Sequence, residues 1–232
     1  MKSLKKESTG IIGLDEVINN LRLGDNVVCQ IDNLSNYKYL ATEFARNAVS
    51  KGKRVVYMRF ASHAPLFNNN DGIFTYTLNA KEGFESFSTN VHEIIKKEGL
   101  EVFYVFDCLS DLLLYWATDL MLGNFFMITC PYLFELNTIA YFAIMRDNHS
   151  FKTIARIRET TQLLLDIYTI DSSLCIHPLK VWNRYSPNMF LPHIKEKDKF
   201  IPITTSADAA RLFSYTASKF YESSERNLDY WD

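Results

Sequence analysis

The sequence predicts an α/β protein built on a mostly parallel sheet. Short apolar runs alternate with stretches of helical periodicity, which is the pattern of βαβ units. The runs are continuous rather than alternating, as in Asn26–Ile31 and Arg54–Phe60, and this suits strands covered on both faces. The chain has 232 residues, 47% hydrophobic and 22% charged, enough for one large domain with a substantial core.

Taken in order, the first expected strand is Asn26–Ile31. A helix follows from about Tyr37 to Ser50, with Leu40, Phe44, Ala48 and Val49 near helical spacing and Gly52 placed to end it. Arg54–Phe60 is the next strand, and a short one lies near Phe74–Leu78. Phe84–Glu98 reads as an amphipathic helix closed by Gly99. Glu101–Asp107 reads as a buried strand with one carboxylate at its C-terminal end. A helix is expected through Leu109 to Leu120, a central strand at Phe125–Cys130, and helical stretches over Phe134–Arg146 and part of Phe151–Thr161. Leu163–Ile170 and Leu174–Trp182 form a late β-hairpin turning at Asp171-Ser172-Ser173. Ser206–Tyr221 has the spacing of a last amphipathic helix. No repeat or Pro/Gly/Ser-rich linker divides the chain. The expectation is one globular unit, with residues 1–204 as its body and 205–232 as a C-terminal helix and tail. The tail carries Tyr230 and Trp231, an aromatic pair expected to dock on this domain or on a partner.

The net charge of −2 provides no basic field for nucleic acid. Aromatic residues reach 14%, which favours a thick core or a buried interface. Cys29, Cys108, Cys130 and Cys175 sit in apolar runs without C-x-x-C spacing, so they read as reduced core residues. No apolar signal region follows Met1–Lys6. The longest charge-free stretch, Leu120–Phe134, is too short to span a bilayer and is interrupted by Gly123, Asn124 and Pro131. A soluble, cytoplasmic protein without a membrane partner is expected.

The segment Thr9-Gly10-Ile11-Ile12-Gly13-Leu14-Asp15-Glu16, with Leu21, Leu23 and Gly24 before the first strand, resembles the entry sequence of KaiC-like ATPases of the RecA superfamily. In that family such a segment precedes a strand, a phosphate loop and a helix. Asp107-Cys108-Leu109-Ser110 is similar to the family's Walker B region. The resemblance spans roughly Thr9 to Ile203 and is specific in its first part and around Asp107. It implies a RecA-like, three-layer P-loop NTPase fold. Independently of it, Asp15 and Glu16 suit the first turn of a short helix, where carboxylates complement the dipole.

A working phosphate loop reads G-x-x-x-x-G-K-S/T. Its glycines let backbone N–H groups wrap the phosphates, while its lysine and hydroxyl reach phosphate and magnesium. Here the stretch is Ile31-Asp32-Asn33-Leu34-Ser35-Asn36-Tyr37-Lys38-Tyr39, without a glycine. Tyr37 falls at the lysine position. A one-residue slip puts Lys38 there but leaves Tyr39 in place of Ser/Thr. Asp32 sets a negative charge where phosphates would lie. After the second strand the family carries paired glutamates, whereas this chain has Ala61-Ser62-His63. His63 is a conceivable base, more simply a solvated loop residue. The candidate residual nucleotide-binding residues are Ser35, Lys38 and Asp107. Lys38 reads more simply as an exposed helix lysine, and Asp107 as an N-cap for the segment starting at Leu109. ATP or magnesium is conceivable as cofactor, but the phosphate loop does not support it.

His92 and Glu93 look like surface residues, and His149, His177 and His193 lack metal-ligand spacing. Arg146, Lys152, Arg156 and Arg158, diluted by Asp147 and Glu159, read as a solvated basic face. No Ser/His/Asp arrangement has a recognisable spacing. The leading expectation is a non-catalytic, pseudo-ATPase KaiC-like module for regulation, binding or assembly, pairing with itself or with another domain of a longer protein. One alternative is an ATPase or kinase with an unorthodox loop, in which Lys38 and Asp107 converge on Mg-nucleotide. Another is the N-terminal module of a phosphoenolpyruvate synthase or pyruvate phosphate dikinase-like enzyme.

Overall fold

The computed structural model describes residues 5–68, 71–116, 118–215 and 217. The elements in chain order are β1 (Lys6–Glu7), α1 (Ile12–Ile18), β2 (Leu21–Arg22), β3 (Asn26–Ile31), α2 (Leu34–Ser50), β4 (Val55–Arg59), β5 (Phe74–Thr77), α3 (Phe84–Glu98), β6 (Phe103–Cys108), α4 (Asp119–Glu135), β7 (Ile139–Met145), α5 (Phe151–Thr160), β8 (Leu163–Ile170), β9 (Ser173–Val181), β10 (His193–Glu196) and β11 (Lys199–Pro202). One sheet runs β11-β10-β9-β8-β3-β7-β6-β4-β5. Its core from β8 to β5 is parallel throughout, and β9, β10 and β11 add an antiparallel extension.

The sheet separates two apolar layers. Val27, Cys29 and Ile31 of β3 face one layer with Leu14 and Ile18 of α1 and Leu40, Phe44 and Ala48 of α2. Val28, between them, faces the other layer with Phe87 and Val91 of α3, Phe125 and Phe126 of α4, and Ile157 of α5. Alternate side chains of one strand thus serve both faces, as continuous apolar runs require. The protein is therefore α/β, with a large, mostly parallel sheet flanked by helices, and the late hairpin of β8 and β9 turns at Asp171 and Ser172.

Three segments differ from the sequence expectation. Phe125–Cys130 is not a central strand but the middle of α4. Its buried positions Leu122, Phe125, Phe126, Thr129, Cys130 and Leu133 recur every three to four residues, the spacing of one helix face. Phe134–Arg146 is not helical over its length: β7 occupies Ile139–Met145 and takes the central place between β3 and β6. Leu109–Leu120 forms only a 3-10 turn at Leu109–Leu114 before α4 begins. The final helix is seen over 206–215 and at 217, and the other residues of the expected Ser206–Tyr221 helix, with Tyr230 and Trp231, lie outside the described residues.

The opening segment owes its glycines to packing. Gly10 has φ +84, and a Cβ there would meet the Glu43 carbonyl oxygen of α2 at 2.2 Å. A Cβ on Gly13 would come 2.6 Å from the Asp198 carbonyl oxygen in the turn between β10 and β11. Asp15 closes the motif by accepting the Thr9 N–H at 2.7 Å and the Ser8 hydroxyl. The segment therefore wedges α1 between α2 and the last hairpin.

Candidate functional site

The C-terminal ends of β3, β4, β6, β7 and β8 meet along one edge of the sheet. The crossover helix after β3, α2, lies on one face, whereas α5 after β7 lies on the other. Between β3 and β7 the winding therefore switches, and open α/β sheets place their ligand crevice at such a point. Polar side chains collect there, and most of them bind one another.

Only Asp32 and Asn33 separate β3 from α2. Asn33 is the N-cap: its Oδ1 accepts the Asn36 N–H at 3.1 Å and the Ser35 hydroxyl. Asp32 accepts the Tyr215 hydroxyl at 2.9 Å, the Asn36 side-chain amide at 3.1 Å and the Thr169 N–H at 3.4 Å. The chain thus passes from strand to helix with one of its first free N–H groups, that of Asn36, capped by Asn33. Tyr37 is fully buried, and its hydroxyl lies 2.8 Å from the Phe106 carbonyl and 3.0 Å from the Tyr141 carbonyl. The β6–β7 register shifts between Val105 and Cys108, and the tyrosine hydroxyl donates to a carbonyl of each strand at this irregularity.

Asp107 is fully buried at the end of β6. Its carboxylate accepts the Tyr57 hydroxyl, the Arg59 guanidinium, and the Phe60 and Ala61 N–H groups at 2.9 Å each. Oδ2 takes three of these donors, from Arg59, Phe60 and Ala61, and Oδ1 takes the Tyr57 hydroxyl. His63 adds an Nε2 3.6 Å away, with its side chain largely enclosed, so it is not the solvated loop residue that its sequence setting suggests. Cys108, not Asp107, stands at the N-cap of the 3-10 turn. Of the three candidate nucleotide residues, Ser35 and Lys38 are exposed on the first turns of α2, while Asp107 is bound inward. No hydrogen bond joins the three among the described residues.

The residues present do not fit a Mg-nucleotide. The strand-to-helix turn is two residues long and capped by Asn33, Tyr37 is buried with its hydroxyl on the Phe106 and Tyr141 carbonyls, and the Asp107 carboxylate is held inward by four protein donors. Among the described residues, no cluster of His, Cys, Asp or Glu has a metal-holding arrangement.

Other groups join the same edge. Arg146, at the end of β7, pairs with Asp166 of β8 at 2.7 Å and lies over the Tyr168 ring, so it is not part of a solvated basic face. Arg156 reaches Asn124 of α4 at 2.6 Å. Sequence spacing also missed a polar triad. Ser110 Oγ lies 2.6 Å from His149 Nε2, and His149 Nδ1 lies 2.6 Å from Asp119 Oδ1. The three residues come from the 3-10 turn, the loop before α5, and the first residue of α4. Their separations along the chain carry no signal, and only the adjacency of β6 and β7 brings them together. Burial pushes His149 below the ordinary histidine range, against the pull of Asp119. Burial also raises Asp119, but hydrogen bonds from His149, Thr153 and Ser150 outweigh it and hold the carboxyl below its usual value. The triad at rest is therefore a neutral imidazole beside a carboxylate.

The four cysteines are buried and unpaired, as core residues. Burial pushes Cys108 and Cys175 up to about 11, away from thiolate chemistry. His92 is not a free surface residue: it stacks on Tyr132 at 5.3 Å, with Nε2 3.3 Å from the Thr129 hydroxyl. Among the described residues, no helix is long and apolar enough to cross a membrane. No protein-family model matches the chain, and no curated protein matches it.

Proposed function

We propose that this chain is a non-hydrolysing RecA-like, KaiC-type domain that serves as a binding or assembly module. The observation that carries the reading is the two-residue turn Asp32-Asn33. In a phosphate-binding loop this place is an extended, glycine-rich wrap of N–H donors. Here Asn33 caps α2 with its own side chain, and Asp32 points a carboxylate toward Thr169 and Tyr215. The order of opening segment, strand, turn and helix favours the family reading. The inward-held Asp107 and the buried Tyr37 favour a fold kept without phosphate chemistry. Assembly is favoured by the open edge strand β5, whose Phe74 is half exposed beneath the Arg54 guanidinium.

The test has two measurements on the purified chain. Phosphate release from MgATP is expected to stay at background, because positioning and charge stabilisation are both missing. Turnover that disappears in Asp107→Asn would sink the non-hydrolysing half. Light scattering across a concentration series is expected to give a mass above that of one chain, or a complex with a domain that accompanies it. A monomer at every concentration that binds no accompanying domain would sink the module half.

A further inference from the structure

We propose that Ser110, His149 and Asp119 form a charge-relay site in which Ser110 is the nucleophile toward activated acyl esters. The inference is independent of any nucleotide and rests on geometry. The two links of the relay are each 2.6 Å, the separations that a nucleophile–base–orienter set requires. The proton positions are fixed by what surrounds them. The second oxygen of Asp119 accepts the Ser150 N–H at 2.9 Å and the Ser150 hydroxyl at 2.8 Å, so the carboxylate cannot turn away. It therefore receives the Nδ1 proton of His149, which leaves Nε2 as the acceptor. Ser110 Oγ already accepts the Met145 N–H at 2.7 Å, so its own proton is directed to that nitrogen. The same N–H stabilises the negative charge that grows on Oγ as the proton leaves.

The placement suits a reacting group. Ser110 lies two residues after the end of β6, at the sheet edge where parallel strands present ligands, and is nearly enclosed, with 6% of its surface exposed. The His149 side chain is 1% exposed, so its imidazole is held between Ser110 and Asp119. Leu114, four residues beyond Ser110, is 70% exposed, and Phe151, two residues beyond His149, is 89% exposed. They are the exposed apolar side chains nearest in sequence to Ser110 and His149, and the acyl group proposed is accordingly apolar. In the reaction, the Ser110 proton passes to His149 Nε2 while an Oγ–C bond forms at the ester carbonyl. The C–O bond to the leaving group then breaks, and the alcohol departs with the proton from His149. Water, deprotonated in turn by His149, cleaves the acyl-serine to the acid and restores Ser110.

A polar clasp of the same three residues would hold the loop before α5 onto α4 without making Ser110 reactive, and a chemical probe separates the two. The full chain is incubated with an alkyl fluorophosphonate and mapped by mass spectrometry. Oγ–P bond formation with loss of fluoride should mark Ser110 with one adduct. The adduct should vanish in Ser110→Ala, and its rate should fall on the order of 10²-fold or more in His149→Gln. Hydrolysis of a p-nitrophenyl ester should follow the same pattern. Circular dichroism checks that each variant is folded. If His149→Gln unfolds, Asp119→Asn, which disturbs the tautomer, is read in its place. No adduct on the native chain, an adduct elsewhere, or labelling indifferent to the folded variants overturns the proposal. Labelling of Ser110 with a monomeric, ATP-inert chain would uphold this site while removing the assembly reading, so the two fail separately.

Discussion

Arg184 reaches Asp25 with two guanidinium nitrogens, at 2.6 and 2.8 Å, and both side chains are almost completely enclosed. The pair fastens the segment after β9 to the turn before β3. The Arg184 guanidinium also donates to the Asn20 carbonyl at 2.6 Å. Burial still pushes the Asp25 carboxyl above its ordinary value, against the hydrogen bonds and charge of Arg184. Arg184→Ala would strand that carboxyl, so a loss of about 3–5 kcal/mol is expected in urea unfolding. At this scale the sequence was legible in part. Asp107 announced itself as the single carboxylate ending an apolar strand, and Gly10 and Gly13 as residues of a constrained entry segment. Their partners were silent: nothing in the spacing tells that Asp107 will meet Tyr57 and Arg59, or Ser110 meet His149. Such contacts are made by strand order, which local sequence does not encode.

The exchange of strand and helix around α4 and β7 has one physical cause. Periodicity needs contrast between apolar and polar positions. The run Leu120–Phe134 has almost none, because α4 is covered on a broad face by α3, α5 and the sheet. A buried helix and a buried strand then look alike, and length is the only arbiter. α4 reaches 17 residues even with Pro131 inside it. The proline leaves the Met127 carbonyl without its helical donor, on a turn where Met127 and Ile128 are about half exposed. The helical assignment makes neighbours unequal. Phe126, fully buried against Phe125 and Phe142, is expected to cost about 3–5 kcal/mol when replaced by alanine. Ile128→Glu, two residues away, is expected to stay within about 0.5 kcal/mol of the parent. Thermal melts of the two variants check this, and equal losses would contradict the helix. By contrast, β3, β4, β6 and the hairpin β8–β9 were legible, because turn residues or glycines bracket each run.

Across the whole molecule, proton uptake should set the acid limit of stability. His92, His149 and His193 are all pushed below the ordinary histidine value of 6.5, chiefly by burial. Each binds its proton more weakly folded than unfolded, so unfolding takes protons up. The stabilisation is full above about pH 6.5 and is lost progressively as pH falls below it. Asp25 and Asp166, raised by burial, act with the opposite sign in the carboxylate range. Calorimetry should therefore find a lower Tm at pH 5.5 than at pH 7.5, with a smaller drop in His149→Gln. The sheet order carries a consequence for time as well as for stability. β3 is the earliest strand of the main sheet, yet both its neighbours are late: Asn26 faces Ala140, and Val27 faces Leu163. A chain emerging from the ribosome holds its central strand with two open edges until β7 and β8 have followed. Closing those distant loops comes before any reward from pairing, which slows folding. It also leaves an apolar strand available to wrong partners in the interval. The centre of the finished sheet is thus the part of the nascent chain that waits longest for its place.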